Sequence, residues 1–231
     1  MSKQFQMKQI PESAKRAWKA TATDCAGRSV ELLPGQLEIE SKFGILTYGK
    51  HPMGYDTLSF HENDGGGAVT LFYSYGEDGQ LLLGLLLENR PNLGPKPVLC
   101  IVGGFVDPGE NHSQTQKREA AEETGIKSNH AMPIPGKKFA SNRSFSVLAN
   151  EKEGIAAYAL FVNENDIERN PIGECYCITK SSSLKVSEKL RQKLLFLPYN
   201  EAINMTVDGI ALATICRFMN SFCQFCKSGH N

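Results

Sequence analysis

The sequence of 231 residues carries 25 lysine and arginine residues against 25 aspartate and glutamate residues, so its formal net charge at pH 7 is zero. A neutral chain has no overall positive field to hold it on nucleic acid or on an anionic membrane. Hydrophobic residues make up 41% of the chain and charged residues 22%, a balance that favours a globular fold over disorder. We therefore expect neither a nucleic-acid partner nor a membrane partner.

Signals for membrane insertion or secretion are not visible in the sequence. The longest apolar run, from Leu81 to Leu87, falls well short of the roughly 20 residues that span a bilayer. No apolar stretch follows the first lysine, so we expect no signal peptide, a cytoplasmic location and reduced thiols. Cys223 and Cys226 supply too few ligands for a zinc site by themselves, which leaves open whether they bind anything.

Residues 1–64 are predicted to form an N-terminal arm and a strand-rich subdomain. Short segments in which apolar and polar residues alternate follow one another between residues 28 and 60. The glycine-rich run at 61–67 predicts a loop. We therefore place the main domain at 65–231.

The first half of the main domain predicts a hairpin, a further strand and a helix. Apolar residues alternate from Val69 to Tyr75, and Asp78-Gly79 is typical of a hairpin turn that leads into a buried strand at 80–87. The continuous apolar run at 98–102 predicts a strand that is covered on both faces. This run leads into Gly103-Gly104, and a polar helix is expected to follow.

The second half of the main domain predicts further strands and two helices. The strands are expected at 143–149, 154–162 and 194–197, and the helices at 181–193 and 208–225. Strands that precede and follow single helices indicate a mixed α+β domain built from layers.

Three carboxylates in the first helix are the most informative feature of the sequence. At about 100° per residue, Glu119, Glu122 and Glu123 fall within an arc of about 100° on one helix face. Like charges at these spacings repel each other, and a hard cation such as Mg²⁺ or Mn²⁺, which prefers oxygen ligands, removes that cost. The alternative interpretation is a solvated acidic helix surface.

The residues around these carboxylates favour the metal site. Gly103 and Gly104 allow the backbone to approach closely and to present a carbonyl as a further ligand. Arg118 is expected to point away from the carboxylate face and to pair with Glu110, which would anchor the preceding loop to the helix.

The spacing of these residues forms a long pattern that resembles the Nudix box. The segment runs Gly104-Phe105-Val106-Asp107-Pro108-Gly109-Glu110, seven further residues, and then Arg118-Glu119-Ala120-Ala121-Glu122-Glu123-Thr124-Gly125-Ile126. Every glycine, glutamate and arginine position of the box is matched, and Ala120 and Ile126 occupy the apolar positions.

This resemblance implies a Nudix fold, in which a mixed central sheet lies between helices as an α/β/α sandwich. It also implies hydrolysis of a nucleoside diphosphate linked to another group, with Mg²⁺ or Mn²⁺ as cofactor. The implied metal ligands are Glu119, Glu122 and Glu123 together with the carbonyl of Gly103 or Gly104. Glu110 and Arg118 are implied as supporting residues.

The sequence beyond the box is similar to the branch of the family that hydrolyses ADP-ribose and ADP-sugars. Arg90-Pro91-Asn92 follows an apolar strand, which makes Arg90 a candidate phosphate contact. In that branch an N-terminal strand segment often exchanges between the subunits of a homodimer, and a later loop often supplies the general base, for which Glu151 and Glu153 are candidates alongside the box residues Glu122 and Glu123. The sequence before the box, and the prolines after it, depart from the branch pattern.

Two alternatives to an ADP-sugar hydrolase stay open at this point. One is a hydrolase of another nucleotide, such as a dinucleotide, NADH or an RNA cap, and the other is a non-catalytic regulator that binds a nucleotide sugar. The complete set of box carboxylates favours an enzyme. The lack of a basic surface with interleaved aromatic residues argues against RNA.

Overall fold

The computed structural model describes residues 66–90, 95–127, 129–134, 154–170 and 175–228, together with five strands between residues 21 and 62 and a short strand at 143–144. The chain divides into two compact units. The first comprises Met1–Asn63 and Phe145–Glu153, and the second comprises Asp64–Ser144 and Gly154–Asn231.

The described part of the first unit consists of strands. Strand β1 (Thr21–Thr23) pairs antiparallel with β2 (Ser29–Glu31). Strands β3 (Leu37–Ser41), β4 (Gly44–Lys50) and β5 (Asp56–Glu62) form an antiparallel sheet in that order.

The second unit is built on a mixed sheet. Its strands are β6 (Gly67–Tyr75), β7 (Leu81–Glu88), β8 (Val98–Cys100), β9 (Val102–Phe105), β10 (Met132–Pro133), β11 (Arg143–Ser144), β12 (Ile155–Phe161), β13 (Ile167–Arg169), β14 (Tyr176–Ile178) and β15 (Leu194–Pro198). The main order is β10-β12-β6-β7-β15-β14-β13, while β8 pairs with β7, β9 with β6 and β11 with β12. Strand β12 runs parallel to β6, and the other pairs are antiparallel.

Four α-helices accompany this sheet in the described residues. They are α1 (His112–Thr124), α2 (Glu188–Arg191), α3 (Tyr199–Met205) and α4 (Gly209–Ser228). The strands predicted at 154–162 and 194–197 and the last helix are confirmed, and so is the hairpin of β6 and β7.

Alternation along the central strands divides the core between two faces of the sheet. Leu71, Leu83 and Leu85 pack in one cluster with residues of α3 and α4, such as Ala202 and Ile215. Their neighbours Phe72, Leu82 and Leu86 pack in a second cluster with Ala120 of α1 and with Ile126. Because successive side chains of a strand point to opposite faces, the sheet is covered by helices on both sides. The predicted α/β/α sandwich is confirmed.

The strand predicted at 98–102 is two strands, so this prediction was wrong. Strand β8 pairs with β7, whereas β9 pairs with β6, and Ile101 separates them. The Ile101 N–H donates to Oδ2 of Asp208 at 3.0 Å instead of joining a ladder, and Thr206 Oγ1 donates to the Leu99 carbonyl at 2.7 Å. Side chains more than a hundred residues away thus interrupt a run that is apolar throughout.

The prediction of a helix at 181–193 was also wrong for most of that range, because only Glu188–Arg191 is helical. Asp166 Oδ1 accepts hydrogen bonds from the Ser182 hydroxyl and the Ser183 N–H, each at 2.8 Å. Such bonds between side chains and backbone compete with helix formation.

Among the helices in the described part of the chain, none combines the length and the apolar composition that crossing a membrane requires.

Candidate active site

Helix α1 carries the predicted carboxylates and is fixed at its N-terminus by a capping box. Oδ1 of Asn111 accepts from the Gln114 N–H at 3.0 Å, and Oε1 of Gln114 accepts from the Asn111 N–H at 2.8 Å. Two of the free N–H groups at the helix start are satisfied in this way. One turn further on, the buried Gln116 donates from Nε2 to Oγ1 of Thr70 at 3.2 Å, which ties the helix to β6.

The glycine that closes the box ends the helix. Gly125 has φ of 79°, in the left-handed region, and its N–H donates to the Ala121 carbonyl at 2.9 Å. A Cβ at this position would also lie 3.3 Å from side-chain atoms of Val186 and Leu190. The left-handed backbone of the helix C-cap therefore favours glycine here, and a larger residue would require Val186 and Leu190 to shift by a few tenths of an ångström.

Gly104 lies directly against the side chain of Glu119. A Cβ built on Gly104 would overlap Oε1 of Glu119, so any other residue here would force this carboxylate away from its present position beside β9. The Glu119 side chain is 14% exposed, and its burial raises the pKa of the carboxyl group. The backbone of β9 and the carboxylate face of α1 are thus in contact, as the predicted site requires.

Glu123 is the most perturbed carboxyl group of this face. Its Oε2 accepts a hydrogen bond from the Gly103 N–H at 3.0 Å. Burial, together with the negative charges of Glu88 and Glu119, raises the pKa of Glu123 to about 7 despite this hydrogen bond. Glu122 differs, because its side chain is 61% exposed.

Arg118 connects the loop before α1 to the helix, and its predicted pair with Glu110 is present. Nε of Arg118 lies 3.0 Å from Oε1 of Glu110, and Arg118 also donates to the Phe105 carbonyl at 3.0 Å. These contacts with Arg118 lower the pKa of Glu110, whose Oε2 accepts in addition from the Thr115 hydroxyl at 2.9 Å. The loop that precedes the helix is anchored in this way.

The expectation that Arg118 points away from the carboxylates was wrong. Its Nη1 donates to Oε1 of Glu119 at 2.7 Å and to Oε2 of Glu122 at 3.4 Å. The guanidinium group carries several donors on a long side chain, so it serves the loop and the carboxylate face together.

A divalent cation is the group that this site would hold, and the donor chemistry fits it. In the described residues no group of three or more His, Cys, Asp or Glu side chains stands ready to hold a metal ion. The carboxylate oxygens of Glu119, Glu122 and Glu123 are nevertheless hard ligands on one helix face. Crowded, partly buried carboxyl groups with raised pKa values are also where a cation would relieve the most repulsion. Binding would require Glu119 to exchange Arg118 for the metal.

Arg90 and Glu88 border this face and extend the site. Nη2 of Arg90 lies 2.8 Å from Oε2 of Glu88. Both charges act on Glu123, because Glu88 raises the pKa of its carboxyl group and Arg90 lowers it. Glu88 was not predicted from the sequence. Strand alternation could have indicated it, because Glu88 follows Leu86 by two residues and Leu86 faces α1.

Several predicted residues lie outside the described part of the chain. These are the candidate bases Glu151 and Glu153, and the same holds for the side chains of Cys223 and Cys226. The metal-binding roles of Gly103 and Gly104 stay predictions, as do the catalytic roles of the box glutamates.

Comparison with known families agrees with the geometry of the box. Residues 66–174 match the NUDIX domain. This range contains the strands β6 to β9, helix α1 and the complete box. The matched segment makes up slightly less than half of the chain, and this part of the chain is similar to the NUDIX domain.

One curated relative is the NAD-capped RNA hydrolase NUDT12 of Pongo abelii, which is 27% identical over 118 residues. This match covers 51% of the chain but only 24% of the relative, so the chain spans about a quarter of that protein's length. Among solved structures, an Ap4A hydrolase binary complex from C. elegans is 17% identical with a TM-score of 0.44, covering 68% of this chain and 98% of that one. An ADP compounds hydrolase is 10% identical with a TM-score of 0.47, covering 82% and 92%.

Proposed function

We propose that this protein is a metal-dependent hydrolase that cleaves the pyrophosphate of a nucleoside diphosphate derivative. The preferred substrate in this proposal is ADP-ribose or an ADP-sugar, and the products are AMP and a sugar phosphate. The observation that carries the proposal is the contact between the glutamates of α1 and the two glycines of β9, with Glu119 against Gly104 and Glu123 on the Gly103 N–H. A solvated acidic helix would not bury its carboxylates against a strand.

In this proposal Glu119, Glu122 and Glu123 hold Mg²⁺ or Mn²⁺ beside the scissile anhydride. A cation bound there neutralises phosphate oxygens and lowers the pKa of the attacking water. Glu151 and Glu153 are the proposed candidates for the base that takes the proton of that water. Glu110 supports the site through Arg118, to which it is bonded at 3.0 Å.

Arg90 is the proposed contact for the phosphate that does not react. Its side chain is 46% exposed, so it is accessible to a ligand, and its charge acts on Glu123. An arginine at this place would orient the diphosphate through paired hydrogen bonds.

A dinucleotide or the capped end of an RNA is the second candidate substrate. It is favoured by the relative that is named a NAD-capped RNA hydrolase, with which this chain aligns over 118 residues. NAD and ADP-ribose share an AMP half joined through a pyrophosphate, so the same carboxylates would serve both reactions. The preference between the two substrates would depend on the residues that bind the half of the substrate other than AMP.

The experiment is a substrate panel of ADP-ribose, ADP-glucose, NADH, diadenosine tetraphosphate and NAD-capped RNA, with and without Mg²⁺. AMP release is measured for the small molecules, and release of nicotinamide mononucleotide is measured for the capped RNA, whose adenosine stays in the RNA. We expect release from ADP-ribose or ADP-glucose that depends on the metal. Glu123→Gln should reduce kcat at saturating Mg²⁺ by at least about a hundredfold, because it removes charge from the metal site. The matched control is Glu164→Gln, which changes an exposed glutamate outside the box.

The proposal has clear ways to fail. Near-normal turnover by Glu123→Gln in a folded protein would exclude the assigned metal site. A preference for NADH or NAD-capped RNA would replace the ADP-sugar assignment while leaving the chemistry in place. Tight binding of a nucleotide in the panel, with no hydrolysis of any member, would indicate a nucleotide-binding regulator.

A further inference from the structure

The end of β7 places a second ion pair beside the carboxylates of α1. Glu88 is the last residue of β7, and its side chain emerges on the face of the sheet that α1 covers, as does that of Leu86. Oε2 of Glu88 lies 2.8 Å from Nη2 of Arg90.

The two arginines near the carboxylates are in different situations. Arg118 is 23% exposed and already serves Glu110, Glu119 and the Phe105 carbonyl. Arg90 is 46% exposed and forms an ion pair with Glu88. An anion near Glu123 could therefore bind Arg90 without breaking the Arg118 contacts that connect the loop to α1.

We infer that Glu88 is a positioning residue, which holds the Arg90 guanidinium in the orientation that accepts a phosphate of the substrate. This inference rests on the proposed function and adds Glu88 to it. Arginine has a long side chain with several rotatable bonds, and fixing it before the ligand arrives reduces the conformational entropy lost on binding. The carboxylate is well suited to this task, because Glu88 is 22% exposed and anchored at the end of a strand.

The simpler interpretation is an ion pair on the surface without functional consequence. Exposed ion pairs contribute little to stability. That interpretation predicts that removing the Glu88 charge changes neither substrate affinity nor the effect of an Arg90 substitution. The two interpretations therefore differ in a measurable coupling between residues 88 and 90.

The experiment is a double-mutant cycle of Glu88→Gln, Arg90→Ala and the combined variant, with Glu164→Gln as the matched control. KM and kcat are measured on the best substrate of the panel at saturating Mg²⁺. We expect Glu88→Gln to raise KM about tenfold with kcat within about twofold of the unchanged protein, which corresponds to the loss of one charged contact. The combined variant should be no worse than Arg90→Ala alone.

Other outcomes would overturn the inference. An unchanged KM for Glu88→Gln would mean that the pair is incidental, and a further tenfold loss in the Arg90→Ala background would show that Glu88 acts independently of Arg90. A fall in kcat without a change in KM would place Glu88 in the chemical step instead.

The inference can also be tested when the proposed reaction fails. If no member of the panel is hydrolysed, the same cycle is run on the dissociation constant of ADP in the presence of Mg²⁺, measured by calorimetry. The positioning role would be supported, even with no turnover to measure, if Glu88→Gln weakened ADP binding in the unchanged protein but had no effect on it in the Arg90→Ala background. Equal affinity in all variants would refute it. Unfolding temperatures of each variant show whether the fold is intact.

Discussion

The four glutamates of the box share one side-chain chemistry but occupy different environments. Glu110 faces the guanidinium of Arg118, which lowers its pKa. Glu123 is buried against β9, which raises its pKa to about 7. Glu122 is 61% exposed. The tertiary surroundings thus pair Glu110 closely with Arg118, whereas burial raises the pKa values of the Glu119 and Glu123 carboxyl groups.

At the residue scale we predict that the pair of Glu110 and Arg118 stabilises the protein in a pH-dependent way. The pKa of Glu110 is lowered in the folded state, so its stabilisation is present above the ordinary carboxyl pKa and is lost as the pH falls through the folded value. Glu110→Gln should reduce the free energy of unfolding by about 1 kcal/mol at pH 7. Urea unfolding of the unchanged protein and of Glu110→Gln, measured from pH 7 downward, should show that the difference in their free energies of unfolding becomes smaller in acid. A difference that is constant with pH would contradict the assignment.

At the element scale, α1 depends on interactions at both of its ends rather than on intrinsic helix preference. Its N-terminus is closed by Asn111 and Gln114, and its C-terminus by Gly125. Between them, Ala120 and Thr124 are buried, while Glu119 and Glu123 contact the glycines of β9. Small residues on the inner face allow the close approach that brings Glu119 against Gly104.

We predict that Asn111→Ala reduces the free energy of unfolding by about 1 kcal/mol, because it removes the cap of the helix that carries the site. Gln114→Ala removes the reciprocal bond and is the matched partner in a double-mutant cycle. The two effects should be less than additive, since each bond of the capping box supports the other. Denaturant unfolding provides the measurement, and fully additive losses would show that the two hydrogen bonds are independent.

At the scale of the whole molecule, the N-terminal strands are the part whose role is least explained by the NUDIX domain, which covers residues 66–174. They form a separate compact unit with Phe145–Glu153, the segment that contains the candidate bases Glu151 and Glu153.

We predict that the protein is a homodimer and that the N-terminal segment contributes to its interface. Light scattering coupled to size-exclusion chromatography should give about twice the chain mass of 25.4 kDa. Charge substitutions on exposed positions of the N-terminal strands should shift the mass toward that of one chain without unfolding the NUDIX domain. A monomer at all protein concentrations that support activity would refute the prediction.

The sequence by itself determined the features that depend on local spacing. The period of the α-helix places Glu119, Glu122 and Glu123 on one face, so their convergence could be predicted. Apolar residues also point to both faces of the sheet along β6 and β7, which made the layered fold predictable.

Only the tertiary structure decided which distant groups meet. Asp208 interrupts the apolar run at Ile101, Arg118 reaches the carboxylates as well as Glu110, and Glu88 comes to the edge of the site. The physical reason is that strand pairing and helix packing bring together residues far apart in the chain, where hydrogen bonds and charges outweigh the local preference of the sequence.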